Sequence, residues 1–196
     1  MDVLIILLIL CLICLPIIVV GALLVAIFNR LTKLKILLQE GWSGIDVQLK
    51  KRYELIPNIV ATVKGYAAHE SAVLEKVTEY RSLAMNSTTN EPFASSTKVA
   101  NENMLTTSLK SLLAVSENYP ELKADASFLK LQTELSQIER DLERARRYYN
   151  GCVRELNTQI ASFPHNLVSS VFGFKPGQFF EASDAEKENV KLNLNQ

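Results

Sequence analysis

His69 and Glu70 come closest to a catalytic motif in this sequence. A zinc-protease helix needs a second histidine four residues after the first, because both imidazoles must face one metal ion. Val73 occupies that position, and the other histidine, His165, lies beyond a long predicted helix. We also find no phosphate-binding glycine loop and no nucleophile elbow. The sequence therefore predicts a protein that is not an enzyme and that uses no cofactor and no metal.

The cysteines and a group of arginines are weaker candidates for chemistry. Cys11 and Cys14 lie in an apolar run and Cys152 in a helical repeat, so apolar filling is the expected role of all three. The basic group consists of Arg140, Arg144, Arg146 and Arg147. We expect a solvated helix face there, with an anion or partner site as the alternative.

Residues 3–28 are the stretch around which the chain is organised. They contain no charged residue and are almost entirely aliphatic. A helix of this length rises about 39 Å, which exceeds the roughly 30 Å hydrocarbon core of a bilayer. The run predicts one transmembrane helix, which Pro16 could kink and in which Gly21 offers a small-residue surface for another helix.

A cleaved signal peptide is the competing interpretation of this run. Signal peptides have a basic start, a shorter apolar core and a small-residue cleavage site, none of which is found here. Arg30 and Lys33, followed by Lys35, come directly after the run. The positive-inside rule therefore predicts a single-pass protein with its N-terminus outside and its C-terminal domain in the cytoplasm.

The rest of the chain is predicted to be all-α. Apolar residues recur every three or four positions, most regularly over residues 128–163, where five heptads are typical of a coiled-coil seam. Tyr119-Pro120 should end one helix and Asp125 or Ser127 should cap the next. We expect an antiparallel four-helix bundle with long helices, in which Pro57 forms a corner. The alternative is a kink at Pro57, which would leave three helical segments in the soluble part.

With 21 basic and 21 acidic residues, the sequence does not favour nucleic-acid binding.

Four segments follow from these patterns. Residues 1–28 are the anchor, 29–163 the cytoplasmic bundle, 164–181 an aromatic segment and 182–196 a polar, flexible tail. The aromatic segment packs over the bundle end or contacts the membrane interface. Its membrane-contact candidates are Phe172, Phe174, Phe179 and Phe180.

The chain resembles the LemA family over about residues 29–180. The motifs that carry the resemblance are WSGIDVQLKKRYELIPN at 42–58, VKGYAAHE at 63–70, LLAVSENYPELK at 112–123, LQTEL at 131–135, ARRYYN at 145–150 and FP at 163–164. Gly41 and Gly44 depart from the family's less glycine-rich pattern. The resemblance implies a bacterial inner-membrane protein with a four-helix bundle, and it suggests a membrane metalloprotease as a possible partner.

Our functional expectation is a membrane-anchored, non-catalytic scaffold. It would self-associate into a homo-oligomer through its helices and shape or stabilise the lipid bilayer. The alternative is an adaptor that delivers substrates to a membrane protease in envelope quality control. An enzyme that uses polar groups inside the bundle is the least favoured hypothesis. Asp46, Gln48, Tyr53 and Asn58 form either a site or a set of satisfied polar groups.

Overall fold

The computed structural model describes residues 2–87 and 95–180, and every regular element in those ranges is helical. In chain order, the elements are α1 (Asp2–Tyr66), α2 (Ser71–Asn86), α3 (Ser96–Val115), a 3₁₀ turn (Ser116–Asn118), α4 (Pro120–Ala124), α5 (Ala126–Ala161) and α6 (His165–Phe172). The all-α prediction is confirmed for this part of the chain. The predicted tail 182–196 lies outside the described residues.

The described residues form two compact units. Unit 1 comprises residues 2–40 and 151–177, and unit 2 comprises residues 41–87, 95–150 and 178–180. Helices α1 and α5 each contribute one part to unit 1 and another part to unit 2.

Unit 1 contains the apolar part of α1. Large side chains in this part are exposed, with Leu12 at 77% and Ile18 at 67%. Among the described residues, α1 is the helix that is long and apolar enough to cross a membrane. The buried side chains of unit 1 come later in α1 and from α5 and α6: Ile27, Leu31, Leu34, Leu38, Val153, Leu156 and Val168.

Unit 2 has a core to which α1, α2, α3 and α5 all contribute. Its buried apolar residues follow helical spacing and include Ile45, Leu49, Ile56, Ile59, Val77, Leu105, Leu112, Phe128, Leu142 and Tyr149. Asp125 accepts a hydrogen bond from the Phe128 backbone N–H at 2.8 Å, which confirms the predicted cap of α5. Helix α5 also continues through Asn150-Gly151, as its apolar stripe predicted.

The predicted corner at Pro57 is wrong, because α1 runs through Pro57 to Tyr66 and the chain turns at residues 67–70. Proline within a helix leaves the carbonyl four residues earlier without its usual donor. Here that carbonyl belongs to Tyr53, and Nε of Arg81 on α2 donates to it at 2.7 Å. Pro57 itself is exposed, so its ring displaces no core side chain. The alternative with three helical segments is also wrong, since α2 runs back beside α1 after the later turn and forms a fourth segment.

Candidate functional site

Arg52 on α1 is the most unusual residue of unit 2, because its side chain is fully buried. Its Nη1 donates to Glu139 Oε1 on α5 at 2.9 Å and to Thr106 Oγ1 on α3 at 3.1 Å. Its Nη2 donates to Glu102 Oε2, also on α3. One guanidinium therefore ties α1 to two other helices.

Tyr53 and Glu102 extend this arrangement toward α2. Glu102 is fully buried, and its second carboxylate oxygen, Oε1, accepts a hydrogen bond from the Tyr53 hydroxyl. The same hydroxyl lies 3.4 Å from the Ala84 carbonyl oxygen of α2. We call Arg52, Tyr53, Glu102, Thr106 and Glu139 the buried polar network.

Electrostatics keep the network ionised at Arg52 and neutral at Tyr53. Burial by itself lowers the pKa of Arg52, but Glu139 and Glu102 outweigh this effect and the net pKa is raised. Burial, and then the negative charge of Glu102, raises the pKa of the Tyr53 hydroxyl far above its ordinary value. A guanidinium that stays charged and a phenol that stays protonated are poorly suited to exchanging protons with a substrate. The network is suited to fixing the helices in one register.

Only one member of this network was predicted from the sequence as a candidate site residue. Tyr53 was among the polar candidates, but Asp46 pairs with Lys50 at 2.8 Å on the surface and Asn58 is exposed. Arg52, Glu102 and Glu139 were missed as site residues. The position of the two buried charged residues, Arg52 and Glu102, in the helical apolar repeat could have revealed them. Arg52 continues the stripe of Ile45 and Leu49, and Glu102 lies between Val99 and Leu105.

A groove of about 650 Å³ lies between α3 and α5 in unit 2. Leu109, Leu113 and Leu135 supply apolar lining, and the network residues Thr106 and Glu139 also line it. Its basic lining residues are Lys110, Arg140, Arg146 and Arg147. Three of the four arginines of the predicted basic face therefore border a concave surface rather than a flat helix face.

The predicted candidates on α1 all lie in unit 1 and are exposed. Pro16 stands within the continuous helix, and a Cβ atom added at Gly21 would meet no atom within 4 Å. Arg30 lies 4.0 Å from Glu155 of α5, with both side chains largely in solvent. Lys33 is exposed on the same helix.

The aromatic candidates divide between the two units. In unit 1, Phe172 and Phe174 pack edge-to-face on Phe28, with ring centroids 5.0 and 5.6 Å away. In unit 2, Phe179 is half exposed and Phe180 is buried. The Phe180 ring lies 4.3 Å from the Arg146 guanidinium and therefore forms part of the interior of unit 2.

Asparagine side chains of α5 hold the backbone that follows α6. In unit 2, the Asn150 amide donates to the Phe180 carbonyl at 3.0 Å and accepts from the Phe180 N–H at 2.8 Å. In unit 1, Asn157 makes the same pair of bonds to Gly177, at 3.0 and 2.8 Å. Each amide satisfies both polar groups of one residue, so this segment is fixed without helical or strand hydrogen bonds.

The remaining chemical candidates are dispersed. His69 and Glu70 lie in the turn between α1 and α2, and His165 begins α6. Within residues 2–87 and 95–180, no three His, Cys, Asp or Glu side chains are grouped as a metal would require. Of the cysteines, Cys11 and Cys14 are exposed on α1 and Cys152 is partly buried on α5.

Comparisons with known proteins support the resemblance seen in the motifs. The model of the LemA family matches residues 41–194. Protein LemA of Metamycoplasma hominis is 27% identical over 153 residues, which cover 78% of this chain and 68% of that protein. The magnetosome proteins MamQ 1 and MamQ 2 of Paramagnetospirillum magneticum are each 21% identical over 164 residues, or 73% of this chain and 60% of theirs.

Proposed function

Because the chain belongs to the LemA family, we propose that it is a single-pass membrane protein whose unit 2 acts as a non-catalytic scaffold in the cytoplasm. In this proposal unit 2 is an antiparallel four-helix bundle, built from parts of α1, α2, α3 and α5. The bundle presents its surface to partners, and the anchor holds it at the bacterial inner membrane.

The exposed apolar stretch of α1 is the observation that carries the proposal. Its side chains from Leu10 to Val25 are exposed and carry no charge. Moving one Leu or Ile side chain out of water contributes about 1.5–3 kcal/mol, so leaving the whole stretch in water would be very unfavourable. A bilayer removes that cost, and the helix satisfies its own backbone groups there.

The exposed cations that follow this stretch support the orientation. Arg30, Lys33 and Lys35 are all exposed on α1. Short basic segments beside a span remain on the cytoplasmic side. The orientation predicts that a reporter fused after Gln196 stays in the cytoplasm. Export of that reporter would contradict the orientation.

The buried polar network supports a scaffold in preference to an enzyme. Arg52 and Glu102 fix α1 against α3 through charge-assisted bonds, which is a means of specifying one helix arrangement. A bundle with one fixed arrangement can present the same surface to every partner. Binding without turnover is the role that these residues favour.

We assign lateral self-association to the span because of the open surface at Gly21. A Cβ atom there would meet nothing within 4 Å, so a second helix can approach the backbone closely. The test is the mass of the particle extracted with its surrounding lipid by an amphipathic copolymer. Wild type should contain several 22.0 kDa chains. Gly21→Leu should reduce that number, whereas the neighbouring Val20→Leu should not, and a single chain in wild type would contradict self-association.

The second candidate function is an adaptor for a membrane metalloprotease, and the groove between α3 and α5 favours it. The groove combines apolar residues with four basic residues that outnumber its two acidic ones, Glu139 and Glu143. This balance suits an acidic, amphipathic segment of a partner. A photo-crosslinker in place of Ser136, a groove residue, should capture the protease if the adaptor role is correct. The same crosslinker at exposed Thr133 serves as the control. Capture of a second copy of this chain, or of no protein, would reject the adaptor.

A further inference from the structure

Helix α6 in unit 1 has three different faces. Val168 and Ser169 are buried, whereas Asn166 and Ser170 form an exposed polar face. Between these faces, Leu167 and Val171 are 57% and 78% exposed. A helix that only covered the end of the protein would need the buried and polar faces but not the third one.

The exposed apolar surface continues beyond this face. Phe172, at the end of α6, is 58% exposed, and Phe163, just before α6, is 79% exposed. We call Phe163, Leu167, Val171 and Phe172 the apolar foot. Four large apolar side chains remain exposed within ten residues of the chain, which is typical of a segment that contacts another apolar surface.

The contacts of Phe172 place the foot beside the end of the uncharged run. Its ring packs edge-to-face on Phe28, which is the last residue of that run, and Phe174 packs on the same ring. Exposed cations follow in both segments, with Arg30 on α1 and Lys175 after α6. An apolar surface next to cations is the pattern of helices that lie in the interface of an anionic membrane.

We propose that α6 lies in the bilayer interface, with Leu167 and Val171 among the acyl chains and Asn166 and Ser170 facing the headgroups. This inference rests on the proposed membrane anchor. The foot would enter the leaflet in which the uncharged run ends at Phe28. It would thereby limit rotation of the anchor about its axis. Phe179 and Phe180 are not part of the foot, since both belong to unit 2 and Phe180 is buried there.

The bilayer is a better occupant of this surface than a second copy of the chain. The foot is joined to the exposed apolar side chains of α1 by the Phe28–Phe172 contact. Whatever solvates those side chains therefore reaches the foot as well. An interface between copies would not need cations beside it, whereas cations beside the foot would attract anionic headgroups.

The test uses the full chain in vesicles of three parts zwitterionic to one part anionic phospholipid. Cys11, Cys14 and Cys152 are first replaced by alanine, and single cysteines then carry an environment-sensitive fluorophore. The probe is placed at Val171 on the apolar face, at Ser170 on the polar face, at Ile18 in the anchor and at Thr133 in unit 2. Lipids with a spin label just below the headgroup serve as quenchers.

We expect the lipid quencher to act about threefold more strongly at Val171 than at Ser170, because an interfacial helix buries only one face by about 5–10 Å. The probe at Thr133 should not be quenched, and the probe at Ile18 should lie deeper. Val171→Asp should reduce quenching of a probe at Leu167 without moving the probe at Ile18. Ser170→Asp is the matched control and should leave both unchanged.

Three outcomes would overturn the inference. A water-exposed probe at Val171 with Ile18 still in lipid would reject the foot and leave the anchor intact. Water exposure at both positions would reject the proposed membrane anchor itself. A probe at Val171 that is shielded from water but not quenched by lipid would show that protein covers this face.

Discussion

The two parts of α1 invert the usual rule of burial in opposite ways. In unit 1, uncharged side chains such as Leu12 and Ile18 point outward and remain exposed. In unit 2, the permanently charged side chain of Arg52 points inward and is fully buried. The difference shows that polarity alone does not decide which face of a helix is buried; the available partners and solvent decide it.

The two inversions need different compensation. An exposed apolar helix needs only a surrounding medium as apolar as itself. A buried guanidinium needs specific partners at fixed distances, because desolvating a charge costs several kcal/mol. Glu102, Glu139 and Thr106 supply those partners. The first part of α1 should therefore tolerate apolar substitutions, whereas the second should be sensitive to a single change.

Replacing Arg52 should have the largest effect on the stability of unit 2. Arg52→Met removes the cation and leaves Glu102 buried beside Tyr53 alone, at a cost of about 3–5 kcal/mol in the free energy of unfolding. Lys50→Met is the matched control, since Lys50 is exposed and pairs with Asp46 on the same helix. Chemical denaturation of the full chain in detergent, followed by circular dichroism, measures both.

A second substitution identifies the source of that loss. Adding Glu102→Gln to Arg52→Met removes the uncompensated buried charge, so part of the stability should return. If Arg52→Met were no more harmful than Lys50→Met, the buried polar network would not hold the helices together.

Two glycines test how closely α1 and α5 pack in unit 2. A Cβ atom at Gly41 would lie 3.2 Å from the Tyr149 Cα atom, whereas one at Gly44 would meet nothing within 4 Å. Gly41→Leu should cost about 1–3 kcal/mol through overpacking. Gly44→Leu should instead stabilise the helix by about 0.5–1 kcal/mol, because leucine is a better helix former than glycine. Equal effects in thermal unfolding would show that the helices do not approach closely at Gly41.

The hydrogen bond beside Pro57 should be worth less than the ion pairs of Arg52 and no more than the close packing at Gly41. Arg81→Met leaves the Tyr53 carbonyl without its donor and should cost about 1–1.5 kcal/mol. In a Pro57→Ala background the restored N–H can bond to that carbonyl, so the same substitution should cost less. A double-mutant cycle measures the coupling. Additive losses would mean that Arg81 does not compensate for the proline.

The smallest expected loss of stability is a pH dependence at Tyr53. Its pKa is raised in the folded state, so the folded protein keeps a proton that the unfolded chain loses above its ordinary pKa of about 10. The stabilisation is therefore complete below pH 10 and is lost as the pH rises further. Between pH 9 and 11, wild type should lose roughly 1 kcal/mol more than Tyr53→Phe. Tyr80→Phe, at a tyrosine of α2, is the control, and parallel pH curves for wild type and Tyr53→Phe would contradict this assignment.

Local patterns in the sequence predicted much of the fold. The all-α class, the cap at Asp125 and the continuation of α5 through Asn150-Gly151 each depend on neighbouring residues and are confirmed. The match of the LemA family model confirms the family resemblance, which several motifs in the expected order had made recognisable. The corner at Pro57 was wrong because Arg81, a distant residue, supplies the missing donor.

The sites were harder to predict than the fold. Arg52 was not predicted as a site residue, since nothing in its local sequence reveals Glu102 and Glu139 as partners. Phe180 was grouped with the exposed aromatics, yet Asn150 and Arg146 hold it inside unit 2. In both cases the deciding contacts come from residues 30 or more positions away in sequence, and only the fold brings them together.

The proposed membrane anchor is tested most directly by comparing two positions of α1 in intact membranes. Single cysteines replace Ile18 in the apolar stretch and Val47 in unit 2, both of which are exposed in the structure. A water-soluble, membrane-impermeant maleimide is then applied to inside-out vesicles. We expect rapid labelling at Val47 and none at Ile18 until the protein is unfolded in strong detergent. Equal labelling at the two positions in intact vesicles would contradict the proposed anchor.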